Sequence, residues 1–355
     1  LKGGTALIYE AAMNSALVSA LCVDSGRFVF SKVRRIANWW ADGVFAVYNC
    51  RQLPAAAFRP AGRSPANQGA RPQARYCLNR LPTAMPGKLK QIDHFPSRHA
   101  SERTVSIWLP ERYAESDGRY DVLYMHDGQN LFAPSRSWTG VSWGVEETAQ
   151  ALIDAGAIRP IIVVGIWHPE KRWAEYMPQK ALGGTSADQA RATNLLGGPP
   201  RSDTYLRFIV EELKPYIDSH YHTNPDAAHT AIMGSSMGGL ISIYAVCEYP
   251  HIFGIAGCLS THWVAGDGAV VDYLRTALPA AGQHRLWFDY GTEELDASYE
   301  PFQQAVDEML LLQGYQHGVD WITRRFDGAG HSEQAWRDRL HLSLTFLLPN
   351  KGSRE

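Results

Sequence analysis

The chain predicts an α/β fold with a mostly parallel central sheet and helices on both faces, and three observations carry that expectation. Strand-like and helix-like stretches alternate from residue 103 almost to the end, a pattern that calls for right-handed crossovers between parallel strands. Two strand candidates, YDVLYMHDG (120–128) and IRPIIVVGIW (158–167), are nearly continuous apolar runs, as strands buried on both faces are. The third is AHTAIMGSSMGGLISIYAV (228–246), which passes from a β-branched segment through a Gly-Ser turn into a helical pattern.

Taken in order, TVSIWLP (104–110) alternates like a strand and stops at Pro110, and 120–128 is a buried strand ended by a polar turn. Residues Trp143 to Ile153 have helical spacing, with Gly156 as the stop, and 158–167 is the strongest strand. The stretch 168–203 is long, irregular and rich in Gly and Pro, the kind of loop that builds a site or moves. Helix returns at Asp203 to Tyr216 and leads into the strand, turn and helix of 228–246. Strands follow at FGIAGCLS (253–260), RLWFDYG (285–291) and VDWITRRF (319–326), with helices at Pro301 to Gln313 and Ser332 to Leu348. The segment 261–284 is too short for a large cap domain.

Residues 1–85 read differently. PAAAFRPAGRSPANQGARPQAR (54–75) has four arginines, no acidic residue and no periodicity, so 1–85 is expected to be an irregular or linker-like extension ahead of a catalytic domain at 86–355. A signal peptide over ALVSALCV (16–23) fits poorly, since neither a basic flank nor a cleavage site is well placed.

With 355 residues, 45% hydrophobic and 20% charged, the chain can bury a large core, and its net charge of −2 gives no general attraction for nucleic acid or an anionic membrane. No apolar run is long enough to span a bilayer, so a soluble protein is expected, with the cytoplasm favoured over secretion. Cys22, Cys50, Cys77, Cys247 and Cys258 form no C-x-x-C pair and do not cluster with histidines. No metal and no cofactor is therefore expected. Pairing among the first three cysteines and the oligomeric state are left open.

The turn Gly234-Ser235-Ser236-Met237-Gly238 matches G-x-S-x-G, in which small residues let the chain reverse sharply and present a serine hydroxyl. Ser236 is the candidate nucleophile of an α/β-hydrolase fold. A serine needs a histidine to take its proton and a carboxylate to hold that histidine's tautomer, and in this fold they follow in the order serine, acid, histidine. His331, in DGAGHSE after the last strand, is the candidate base, and GTEELD (291–296) after the preceding strand offers Asp296 or Glu294 as the acid. The oxyanion hole is expected from the backbone N–H of Met237 and that of Gln129 in the turn HDGQN. Among loop aromatics Trp138, Trp143, Trp167, Trp173, Tyr176 and Trp263, about half should be packing. Trp167, Trp263 and His262 are the candidate substrate contacts.

VLYMHDGQNLF (122–132), IIVVGI (161–166) with RWAEYMP (172–178), YLRFIVEELKPYID (205–218) and MGSSMGGLISIYA (233–245) together resemble the putative-esterase family of α/β-hydrolases. That family includes S-formylglutathione hydrolases, feruloyl and acetylxylan esterases, enterochelin esterases and mycolyltransferases. The resemblance covers roughly residues 100–348. It implies Ser236 as nucleophile, His331 as base and an acid after Gly291-Thr292. Many relatives place an aspartate where this chain has Glu294, so Asp296 is favoured on a lengthened turn.

The expected activity is hydrolysis of a small-molecule ester, short-chain, aromatic-acyl or sugar-linked, through an acyl-enzyme. Acyl transfer to another alcohol would use the same residues, and a non-catalytic binding module on this fold would need none of them.

Overall fold

The computed structural model describes residues 85–350 except 134–136, 138, 184–192 and 195, and the backbone of two strands further upstream. The chain divides into units at Leu1–Cys77 and Leu78–Glu355. In the first, β1 (Leu17–Asp24) pairs antiparallel with β2 (Arg27–Arg34), Leu17 opposite Arg34. The tract 54–75, the side chains of Cys22, Cys50 and Cys77, Trp138 and the middle of the 168–203 loop lie outside the described residues.

The second unit is organised on eight strands: β3 (Lys88–Phe95), β4 (Arg103–Leu109), β5 (Asp121–His126), β6 (Ile161–Ile166), β7 (Thr230–Ser235), β8 (Ile255–Leu259), β9 (Arg285–Gly291) and β10 (Trp321–Phe326). Their order across the sheet is β10-β9-β8-β7-β5-β6-β4-β3. The six strands from β5 to β10 run parallel, and β4 and β3 add antiparallel at one edge. The mostly parallel sheet read from the sequence is present.

Every residue of β5, β6 and β7 is buried, and their side chains alternate between two cores. Val122, Tyr124, Val164 and Ile232 face one layer and Leu123, Met125, Val163 and Met233 the other, as a period of two requires. Helices α1 (Val145–Asp154), α2 (Arg172–Tyr176), α3 (Ser202–Phe208), α4 (Lys214–His220), α5 (Met237–Glu248), α6 (Ala269–Ala277), α7 (Glu300–Leu312) and α8 (Glu333–Leu347) cover both faces. Core residues of α3, α5, α6 and α7 join the first layer and those of α1 and α8 the second. Helix α5 is apolar nearly all round, with residues 237–246 buried, which suits a helix at the centre of a layer.

Three features went unread in the sequence. Strand β3 is an edge strand whose Lys88, Lys90 and Gln91 are exposed, so it lacks an apolar signal. Helix α6 occupies part of 261–284. The helix expected at 203–216 runs on to His220 through a π turn at Ile209–Leu213, just before Pro215, which has no N–H to give a regular ladder. Among the described residues no helix is long and apolar enough to cross a membrane.

Candidate active site

The groups singled out in the sequence lie on loops that leave the carboxyl ends of β5 to β10, where open α/β sheets place their ligands. Ser236 stands between β7 and α5 with φ 58° and ψ −124°, a conformation a non-glycine residue holds at a cost on the order of 1–3 kcal/mol. Its N–H donates to the Leu259 carbonyl at 2.9 Å, and its own carbonyl accepts from Gly239 at 3.0 Å and His262 at 3.2 Å. The turn is thus tied to the loop after β8. Strand and helix meet closely here, because a Cβ on Gly234 would lie 3.0 Å from the backbone of Gly238. A side chain at 234 would make the first turn of the helix give by a few tenths of an ångström.

His331 lies in the loop between β10 and α8. Its Nδ1 is 2.6 Å from Asp296 Oδ1, and Asp296 is fully buried. The other oxygen, Oδ2, accepts the Gly291 N–H at 2.6 Å and the Ser260 hydroxyl at 2.5 Å. Burial pushes the Asp296 carboxyl upward, but the hydrogen bond and charge of His331, with Ser260 and Gly291, outweigh it and hold the group below its ordinary value. Glu294 has a different place. Its Oε2 accepts the backbone N–H of His331 at 2.8 Å and does not meet the ring. Of the two carboxylates read from GTEELD, Asp296 contacts the imidazole and Glu294 braces the loop that carries it.

Among the described residues no hydrogen bond joins the Ser236 hydroxyl to His331. In unliganded enzymes such contacts are often long and tighten when substrate enters. The two residues meet through their neighbours: His262 donates its N–H to Ser236, its Nδ1 is 2.6 Å from Tyr299 Oη, and the Tyr299 ring is edge-on to His331 at 5.9 Å.

Met237 opens α5, so its N–H has no acceptor within the helix. Gln129 is the second residue of the 3-10 turn Gly128–Asn130, which follows Asp127 at φ 56°. This turn lies close to the elbow, since a Cβ on Gly238 would be 3.4 Å from His126 Cβ and 3.6 Å from Asp127 Oδ2. Gly128 is packed more tightly still, since a Cβ there would come within 2.6 Å of Gly165 in β6 and of Trp167 just after it. The Asp127 carboxylate is gripped by Arg172 through two bonds of 2.7 Å. Behind it His126, 1% exposed, bonds Tyr205 Oη at 2.8 Å.

The structure separates the candidate substrate contacts. Trp263 is corrected: it is 1% exposed, lies against Phe288 and donates Nε1 to Gln303 at 3.0 Å, so it belongs to the core. Trp143 and Tyr176 are buried as well. Trp167 is half-buried, with Nε1 donated to Ser106 at 3.0 Å. His262 is largely buried, and burial, with the charges of His331 and Arg172, lowers its pKa to about 4, so the ring is neutral. Trp173 is 44% exposed and stands perpendicular to the His262 ring at 5.7 Å. Sequence reasoning passed over Ser260, Tyr299 and Arg172, although RWAEYMP carried the last. Among the described residues no group of histidine, cysteine and carboxylate side chains could hold a metal.

The sequence profile of the Putative esterase family matches residues 97–347. The chain is 26% identical over 195 residues to the uncharacterized protein YbbA of Bacillus subtilis, a match covering 55% of this chain and 70% of that one. It is 26% identical over 182 residues to an endo-1,4-β-xylanase/feruloyl esterase of Xylanibacter ruminicola, covering 49% of this chain and 22% of that longer protein. The solved structure of a ferulic acid esterase superposes with a TM-score of 0.55 at 18% identity, covering 74% of this chain and 98% of the other. With the match to the family profile extending over most of the sheet and its helices, the chain belongs to the Putative esterase family of α/β-hydrolases and is a carboxylic ester hydrolase.

Proposed function

We propose that ester hydrolysis runs through Ser236, His331 and Asp296, by way of an acyl-enzyme, on esters with an aromatic acyl group. The observation that carries the reading is the 2.6 Å contact of His331 Nδ1 with a buried, ionised Asp296, together with the strained backbone of Ser236 at the turn after β7. An acceptor at Nδ1 keeps the proton there and leaves Nε2 as the base. Ser236 Oγ then attacks the ester carbonyl carbon while Nε2 takes its proton. The developing oxyanion is met by the N–H groups of Met237 and Gln129. Collapse breaks the bond to the alcohol, which leaves with the proton held on Nε2. A water molecule attacks the acyl-Ser236 by the same route, with His331 again the base, and releases the acid.

The aromatic acyl class is supported by Trp173, whose ring is exposed beside the neutral His262, a surface on which a flat ring stacks. Feruloyl esterase activity in the name of one relative agrees with it. The test compares p-nitrophenyl acetate, methyl ferulate and a long-chain alkanoyl ester on wild type and Ser236→Ala, with fluorophosphonate labelling of both. Wild type is expected to label and to prefer the ferulate, and the variant to do neither. An active Ser236→Ala overturns the nucleophile; a preference for the long alkyl chain overturns the acyl class.

A further inference from the structure

Behind the proposed triad lies a buried cluster that the chemistry so far leaves unused. Ser260 follows β8, is fully buried, and holds φ at 39°. Its hydroxyl oxygen has three close neighbours: Asp296 Oδ2 at 2.5 Å, Arg339 Nη2 at 2.6 Å and Trp336 Nε1 at 3.0 Å. Indole and guanidinium nitrogens only donate. They occupy both lone pairs of the hydroxyl, so its single proton has one place to go, the Asp296 carboxylate. The direction of that bond follows from valence alone.

Asp296 is constrained in turn. Oδ2 receives two donors, Ser260 and the Gly291 N–H, so it carries no proton, and Oδ1 is left to accept from His331. Arg339, 3% exposed, bonds Asp289 Oδ1 at 2.8 Å and lies 3.9 Å from Asp296 Oδ2. Asp289 accepts the Ser260 N–H at 3.1 Å and the Trp287 Nε1 at 2.7 Å. Burying charges in this way rarely gains stability over an apolar packing, which leaves orientation as its use.

We propose that Ser260 is a positioning residue for the esterase reaction: its hydroxyl, directed by Arg339 and Trp336, holds Asp296 ionised and in register so that His331 keeps Nδ1 protonated and Nε2 free. The proposal rests on the Ser236–His331–Asp296 reading. The groups facing His331 are Asp296, Glu294 through the backbone and the rings of Tyr299 and Trp336, with the neutral His262 near enough to feel the charge of a protonated His331.

Ser260→Ala and Ser260→Gly both remove the hydroxyl, and glycine also accepts the positive φ without strain. Both are read beside wild type and Ser236→Ala with p-nitrophenyl acetate across pH, with thermal unfolding to check the fold. The expected result is a kcat lower by roughly ten- to a hundredfold, short of the ~10²–10⁴ that general-base catalysis contributes in all, with KM within about threefold. A carboxylate with one donor fewer is more basic and stabilises the imidazolium, so the acid limb of kcat/KM moves up by about half a unit. Two folded variants with wild-type kcat and an unmoved limb overturn the proposal, whatever their melting temperatures. Activity surviving in Ser236→Ala would instead remove the triad on which it rests.

Discussion

Among the groups that set how acid unfolds this protein, three are shifted far by burial, two pulling one way and the third the other. His126 is 1% exposed, and burial lowers its pKa from 6.5 to about 3, against the pull of Asp127 and with the help of Arg172 and Arg103. His262 is lowered in the same way to about 4. Between those values and 6.5 each ring is neutral in the folded chain and protonated in the unfolded one. The unfolded state binds more protons, so stability falls as pH falls, by about 1.4 kcal/mol per unit for each ring. Glu146 opposes this. It is 4% exposed and burial raises it to about 7, so between 7 and 4.5 it is protonated when folded and ionised when unfolded. Its contribution grows on acidification at the same rate. Among these three groups one histidine remains uncompensated from pH 6.5 to 4.5, a contribution of about 3 kcal/mol across the window, a large share of the ~5–15 kcal/mol that holds a typical domain. The assay is urea unfolding at half-unit steps from about pH 7 to 4.5, with the dependence on denaturant checked for constancy. His126→Asn puts an amide where Nδ1 meets Tyr205 and removes the titration, and it should flatten the profile. Glu146→Gln should double its slope. Equal slopes in wild type and His126→Asn would refute the reasoning.

Two further outcomes follow from contacts at the site. In Asp296→Asn the donors Ser260 and Gly291 select the amide oxygen at the Oδ2 position and turn the NH2 toward His331, where an acceptor is needed. The ring is then held in the wrong tautomer, and kcat should fall by about 10⁴, as in the Ser-His-Asp template, with little change in KM; steady-state rates within tenfold of wild type would contradict this. In Gly128→Ala the new Cβ meets Gly165 and Trp167 at 2.6 Å. Overpacking of this kind costs about 1–3 kcal/mol, and displacing the Gln129 N–H should cost about 10²-fold in kcat, so thermal unfolding and kinetics together separate the two effects.

Periodicity made the parallel strands β5 to β9 legible, because a strand buried on both faces must be apolar throughout, as Ile161–Ile166 is. It failed at β3, where Lys88 and Lys90 sit on an exposed edge. The serine and histidine could be singled out as candidates because a strained turn and a fixed chain order leave marks in sequence. The acid was narrowed to two neighbours with Asp296 favoured, since Glu294 and Asp296 share one short 3-10 turn and only the path of the backbone decides which reaches the imidazole. Trp263 went wrong for a related reason. A loop position after a strand says where the backbone is, while the direction of the ring depended on Gln303 from α7. Ser260 left no signal, being one serine among several until Trp336 and Arg339 arrive from α8.

Topology explains why so much structure is spent on the far side of the site. Ser236, the proposed nucleophile, leaves β7 and His331 leaves β10, three strands away, a lateral gap of ~14 Å at the usual strand spacing. The loop after β10 therefore leans back across β9 and β8, and a loop that leans needs support. It is fastened to the loop after β9: Thr292 and Glu293 donate to the Ala329 carbonyl at 3.0 and 3.1 Å, Gly328 donates to the Thr292 hydroxyl at 2.8 Å, and Glu294 takes the His331 N–H. Through Ser260 the loop after β8 supports Asp296 directly and is itself held by Trp336 and Arg339 of α8. Among the described residues five non-glycine positions have positive φ, and four of them, Asp127, Ser236, Ser260 and Glu294, lie on the loops after β5, β7, β8 and β9. Each costs on the order of 1–3 kcal/mol, a cost that random turns would shed. The strain is concentrated where backbone direction sets the distance between Ser236 and His331, so relaxing any of these residues is expected to reach the chemistry before it reaches the fold.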